Sequence, residues 1–250
     1  MTTIERPDQL RRYYQDQGVA TEYMDLRTTQ PLNGVLHRRQ VAFLNDALAR
    51  YAPATVLEIA CGPGRLTTAM RGVRRGVAVD SSAAMLATAL RRMPAADGAW
   101  TFLRTDAFVL PFRAEAFDAA YTLRFIRHFH DAERERLYAE LRRVLRPHGL
   151  FMVDALNRDV SYPYRLKRGL EHYPIYDALY RRDEIVAELR AAGFEVVRIA
   201  PMLRHAPLQR ALNRLRRVRL DAVARALIGA LEHLPETRPS GWMLLCRKTA

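Results

Sequence analysis

Thr55-Val-Leu-Glu-Ile-Ala-Cys-Gly-Pro-Gly-Arg-Leu66 is the stretch whose reading decides the fold. Val56, Leu57 and Ile59 form a short apolar run of the kind a parallel sheet buries on both faces. The run therefore reads as a strand over 56–60, followed by a sharp loop over 61–65 and a helix start. Glu58 interrupts the strand. A carboxylate there is costly without a partner, so it is expected at the strand's end, facing a ligand or an ordered network. Gly62 and Gly64 permit positive φ and let backbone approach a ligand closely. A helix after the loop, read over Thr67–Arg71 and closed by Gly72, would offer free N–H groups and a positive dipole end.

Two nucleotide-binding patterns can be set aside. A dinucleotide fingerprint needs a third glycine where this chain has Thr67, and a phosphate-binding P-loop needs a Lys that is absent here. What remains is Glu-x-x-x-Gly-x-Gly, followed by a second apolar strand, Gly76-Val-Ala-Val-Asp80, whose terminal acid is placed to accept both hydroxyls of a ribose. Taken together, these residues resemble the class I S-adenosylmethionine-dependent methyltransferases, small-molecule type. The resemblance runs from about Val41 to Gly193 and includes the last strand.

Working outward, strands and helices alternate. Arg38 to Tyr51 has Val41, Leu44, Ala47 and Leu48 at helical spacing. Ser81 or Ser82 is suited to cap a helix running to Arg92. Trp100 to Ala107 reads as a strand and its exit, and Phe117 to Leu123, Leu150 to Asp154, Phe194 to Ile199 and Trp242 to Cys246 read as strands. A helix capped by Asp131 buries Leu137, Leu141, Val144 and Leu145 and is stopped by Pro147-His-Gly149. Another spans 182–192. This alternation predicts an α/β fold: a Rossmann-like doubly wound sheet with ligands at the carboxyl ends of its strands. The resemblance implies seven strands, mostly parallel with an antiparallel last strand, plus helical additions. Residues 1–250 read as a single domain.

Three segments exceed that core. Residues 1–40 are polar and Tyr-rich, with short helices expected over Gln9–Gln17 and Thr21–Arg27. The resemblance implies that they cap the cofactor pocket. Residues 157–180 leave the carboxyl end of the fifth strand, where a substrate lid would sit. Tyr162 and Tyr164 there are suited to stack on a planar substrate. Residues 201–240 hold two helices. Leu208, Leu212 and Leu215 share one face of the first, opposite Arg210, Arg214 and Arg217. Val223, Leu227, Leu231 and Leu234 form the stripe expected on the second.

The resemblance also implies S-adenosyl-L-methionine as cofactor and assigns its contacts. Glu58 would meet the methionine ammonium, and the loop from Ala60 through Cys61, Gly62 and Gly64 would wrap the methionine part. Asp80 would hold the ribose beside Ser81. Met85 would pack on the adenine, with Asp106 and the backbone of Ala107 at its amino group. Thr122 would line the sulfonium side. Tyr14, Tyr23, Arg124, Tyr162 and Tyr164 are the expected substrate contacts. His128 is the expected general base, with His130 as its alternative.

The reaction so implied is methyl transfer to an oxygen, carbon or nitrogen of a lipid-like, quinone-like or natural-product acceptor. No Asn/Asp-Pro-Pro-Tyr motif follows the fourth strand, which disfavours a nucleic-acid acceptor, and no acidic cluster suggests a metal. A non-catalytic cofactor-binding module and a basic RNA-associated methyltransferase are the competing readings. The formal charge is +13, carried by Arg except at Lys167 and Lys248. It suits a solvated surface, nucleic acid or anionic lipid, including peripheral membrane contact through 201–219. Monomer and homodimer both remain open. Cys61 and Cys246 are far apart and suggest no disulfide framework, and no apolar run of about eighteen residues is present, so a cytoplasmic protein is expected.

Overall fold

The computed structural model describes residue 4 and residues 6–15, 30–93, 99–235 and 238–249. Its elements are α1 (Pro7–Gln15), α2 (Pro31–Tyr51), β1 (Thr55–Ile59), β2 (Arg75–Asp80), α3 (Ala83–Arg92), β3 (Trp100–Arg104), β4 (Phe117–Thr122), α4 (Asp131–Val144), β5 (Leu145–Asn157), α5 (Arg158–Arg168), β6 (Leu179–Tyr180), α6 (Arg182–Ala191), β7 (Phe194–Met202), α7 (Ala206–Leu212), α8 (Asp221–Leu231) and β8 (Gly241–Lys248).

The sheet order is β3-β2-β1-β4-β5-β8-β7, with β6 joined to β5. β1 to β5 run parallel, and β8 is antiparallel to both β5 and β7. Alternate residues of each central strand enter different cores, as the period of two requires. Leu57, Ile59, Phe151 and Val153 pack toward Leu137 and Leu141 of α4 and Leu189 of α6. Val56, Ala119, Tyr121 and Met152 pack toward Phe43, Leu44 and Leu48 of α2. Helices on both faces explain why the strands are mostly apolar. The carboxyl ends of β1, β2, β3 and β4 are thereby gathered at one edge.

Several boundaries differ from the sequence reading, each for a local reason. α2 begins at Pro31, whose ring suits the first helical turn. Only a 3-10 turn, Thr67–Ala69, follows the glycine loop. Thr68 returns its hydroxyl to the Gly64 carbonyl, and Gly72 turns the chain at φ +70°, so no helix dipole forms there. His130, not Asp131, is the residue before α4, and Asp131 instead accepts from Arg134. α4 ends at Val144, before Pro147, and β5 takes in the irregular Pro147-His148-Gly149 with a register shift against β4. β6 is an eighth strand of two residues, too short to carry a periodic signal.

The 157–180 segment is largely helical, with the Asn157 side chain accepting the Asp159 N–H at the start of α5. In the 201–240 insertion, Ala224 and Ile228 are the buried face of α8, packed with Val35 of α2 and with Leu212 and Leu215. The stripe expected there points elsewhere, and Val223, Leu227 and Leu234 are 46%, 44% and 50% exposed. The expected helix over Thr21–Arg27, with Tyr23, lies outside the described residues.

Candidate functional site

The loop after β1 is built by backbone conformations that side chains resist. Ala60 and Gly62 lie at φ +54° and +55°. The Gly62 N–H donates to Asp80 Oδ2 and the Ser82 N–H to Asp80 Oδ1, both at 2.8 Å. Asp80 thus ties the loop to the start of α3, where the Ser82 hydroxyl accepts the Met85 N–H. Burial pushes the Asp80 carboxyl up, and these backbone N–H bonds oppose the rise.

The two glycines of the loop serve different ends. No atom lies within 4 Å of where a Gly62 Cβ would sit, and Gly62 lines the pocket. A Cβ on Gly64 would stand 3.0 Å from the Ala89 Cβ, so Gly64 lets the loop pack on α3 and does not line the pocket. Ala60, Asp80, Ser81, Met85, Asp106, Ala107, Tyr14, Arg124 and His128 all line it.

Glu58 does not line the pocket and is 2% exposed. Its Oε2 accepts from the Thr67 hydroxyl at 2.6 Å and the Tyr121 hydroxyl at 2.8 Å. Burial raises its pKa from 4.5 to about 7. Here Glu58 braces β1, β4 and the loop against one another. Cys61 is buried, with its thiol pushed up by burial, and Thr122 is buried with its hydroxyl on the Ile59 carbonyl. Neither lines the pocket.

α1 closes one side through Pro7, Leu10, Arg11 and Tyr14. Arg11 pairs with Asp106 Oδ2 at 2.6 Å, and the Tyr14 carbonyl accepts the Ser82 hydroxyl at 2.8 Å. Tyr162 and Tyr164 lie on α5 away from the lining. Tyr162 is exposed, and the Arg210 guanidinium stands 3.6 Å above the Tyr164 ring.

The far end holds a charged network that the sequence reading missed. His128 Nδ1 lies 3.0 Å from Asp177 Oδ1 and 2.9 Å from the Tyr176 carbonyl. Two acceptors at one nitrogen place the proton on Nδ1 and leave the lone pair of neutral imidazole on Nε2. Arg127 bridges Asp177 and Asp154, and Arg165 also pairs with Asp177. These cations hold the Asp177 carboxyl far below the usual carboxylate range against its burial. His130 instead stacks on Tyr176, at 4.1 Å, outside the pocket. Phe108, Phe125 and Phe129 complete an apolar wall, and an aromatic cluster after β4 was the visible signal for the last two.

An adenosine-bearing ligand fits this site. Each Asp80 oxygen accepts one of the two amides above and keeps lone pairs for hydroxyl donors, Val79, Met85 and Phe108 offer apolar surface, and the open space over Gly62 admits a chain.

A family profile described as "Methyltransferase domain" matches residues 56–149. The demethylmenaquinone methyltransferase of Thermus thermophilus is 36% identical over 111 residues, 43% of this chain and 50% of that one. The O-methyltransferase cnsE of Penicillium expansum is 30% identical over 159 residues, 59% of this chain and 55% of that one. The chain therefore spans about half the length of these two curated relatives. Among solved structures, the 1,6-didemethyltoxoflavin-N1-methyltransferase of Burkholderia thailandensis superposes with a TM-score of 0.65 at 20% identity, covering 100% of this chain and 93% of that one. The strand order, the glycine loop between β1 and Asp80 and the match over 56–149 agree: residues 56–149 match a methyltransferase domain, and the chain has the fold of the methyltransferase structure it superposes on.

Proposed function

We propose that the protein transfers a methyl group from S-adenosylmethionine to a small-molecule acceptor of lipid-like, quinone-like or natural-product chemistry. The observation that carries this reading is a single pocket lined by Asp80, Asp106 and His128, at the carboxyl ends of β2, β3 and β4. Relatives named for a quinone and for O-methylation support it.

In this reading Asp80 accepts the ribose hydroxyls while the Gly62 and Ser82 amides keep its oxygens in place. Met85 and Val79 pack on the adenine, with Asp106 and the Ala107 backbone at its edge. The Ala60–Gly62 backbone follows the methionine part. Glu58 acts on that part through the loop it braces. Tyr14 and Arg124 face the acceptor side. The bound cofactor supplies a methyl group already activated as a sulfonium. The protein's work is then to hold the two reactants in line and, for a hydroxyl acceptor, to remove a proton. His128 takes that proton at Nε2, and Asp177 at Nδ1 steadies the imidazolium that results. An amine or stabilised carbanion has less need of such a base, so the His128–Asp177 pair favours a hydroxyl.

Calorimetric titration with S-adenosylmethionine and S-adenosylhomocysteine tests the assignment. Both should bind wild type, and Asp80→Ala should weaken binding at least tenfold, about 1.4 kcal/mol, with Asp80→Asn intermediate. No binding of either ligand to a sample folded by circular dichroism would overturn it.

A further inference from the structure

We infer that α7, α8 and the 3-10 turn between them (Asn213–Val218) form a docking face for an anionic lipid bilayer. From Ala206 to Leu231 the chain holds six arginines and one acid, Asp221, a net +5. Arg214, Arg217, Arg219 and Arg225 are exposed, and none pairs with a carboxylate among the described residues. Aliphatic side chains stand in the open among them: Val218 is 64% exposed, and Leu220, Val223 and Leu227 between 44% and 46%.

α8 is the core of this face. It buries Ala224 and Ile228 against α2. Ala222, Val223, Ala226, Leu227 and Ala230 are exposed on the same helix, with Arg225 as the single cation among them. A helix solvated on its outer side is normally polar there. An apolar outer side flanked by arginines is the pattern of a helix lying in a membrane interface, with its aliphatic groups below the headgroups and its cations among the phosphates. Eleven residues span roughly 16 Å, about half the hydrocarbon thickness. Among the described residues no helix is long and apolar enough to cross a membrane.

Other occupants fit less well. A two-fold contact with a second copy would set one net +5 surface on another. RNA would gain from aromatic platforms, and residues 206–231 contain no Phe, Tyr or Trp. The face is also tied to the rest of the fold. Asn213 accepts the Leu32 N–H at 3.0 Å and donates to Gln30, while Arg210 stacks on Tyr164 of α5. Docking would thus bear on α2 and α5 together. The inference stands whether or not the chain methylates anything.

Co-sedimentation with phosphatidylcholine vesicles, with and without phosphatidylglycerol, at low and high salt, is the test. Wild type should sediment with the anionic vesicles and release as salt rises. Near an anionic surface each basic side chain strengthens binding about fivefold. The triple variant Arg214→Gln, Arg217→Gln, Arg219→Gln should therefore bind on the order of a hundredfold more weakly. Val223→Ser with Leu227→Ser should weaken binding at both salt levels. All five positions are solvent-exposed, so thermal melts should match wild type. Failure to sediment with anionic vesicles at low salt would overturn the inference, as would unchanged binding by both variants. A dimer seen by light scattering and abolished by the serine variant, or an arginine variant that loses RNA binding but keeps vesicle binding, would overturn it too. Cofactor titration of the same samples separates this outcome from the methyltransferase reading.

Discussion

Glu58→Gln is the most informative single substitution, because it removes a charge while keeping the shape. The carboxylate is buried, its Oε2 already accepts two hydroxyls, and burial lifts its pKa from 4.5 to about 7. Between those values the native protein holds a proton that the unfolded chain has lost. Stability therefore falls as pH rises through that window. The interval is about 2.5 pH units at 1.36 kcal/mol each, so the loss approaches roughly 3 kcal/mol, most of it between pH 4.5 and about 7. His37 works the other way. Burial first, then Arg65, lowers it from 6.5 to about 4, so it destabilises as pH falls below 6.5. It is only half-buried, and solvent screening reduces its effect. The readout is consequently the difference between wild type and Glu58→Gln, in which His37 cancels. Urea unfolding at several pH values gives both curves. Wild type should lose about 3 kcal/mol relative to Glu58→Gln from acid to mildly alkaline pH. A difference that stays flat to within roughly 1 kcal/mol would show Glu58 to be hydrated or already ionised, refuting the buried brace.

Two further substitutions probe packing and charge. Asp177→Asn leaves Arg165 and His128 without their carboxylate and Arg127 with Asp154 alone, and breaking a buried pair this way costs about 3–5 kcal/mol in denaturant melts. Because the Asp177 carboxyl is depressed, this stabilisation is fully present above the ordinary carboxylate range and fades only on acidification, so equal stabilities at neutral pH would contradict the network. Gly76→Ala would set a Cβ 2.5 Å from the Trp100 ring on the neighbouring strand, costing about 1–3 kcal/mol. A denaturation midpoint equal to wild type would mean that the ring swings aside.

The parts of the fold that were legible in the sequence are those in which local pattern and tertiary burial agree. β1, β2 and β4 are mostly apolar because both their faces are covered, and their boundaries came within a residue of the reading. The outer face of α8 was not legible. Val223/Leu227 and Ala224/Ile228 both lie at helical spacing, and only the approach of α2 at Val35 decides which pair is buried. The smaller Ala224 allows the helices close. The Asp177–His128 contact joins residues far apart in the chain, in segments whose own periodicities say nothing of each other. Gly64 shows the limit of a motif: the glycine stands where the pattern puts it, but its freedom serves the contact with Ala89 and not a ligand.

The three acids at the strand ends share a property that bears on how a ligand would enter. Each already has a partner within the protein: Glu58 two hydroxyls, Asp80 the amides of Gly62 and Ser82, and Asp106 the guanidinium of Arg11. Glu58 is buried and Asp80 partly so, and those contacts order the glycine loop before anything binds. Asp106 differs. Its pair with Arg11 is about 40% exposed on both sides and contributes little to stability. An amino group arriving at Asp106 would therefore displace or share that bond at small cost, whereas it could not dislodge the Gly62 amide from Asp80 without unmaking the loop. The hold of α1 over the pocket then rests on Leu10, 5% exposed and packed into the main core, and on the Tyr14 carbonyl bound by Ser82. On this account α1 remains docked when a ligand takes Asp106 from Arg11. Arg11 lines the pocket wall beside Leu10 and Tyr14.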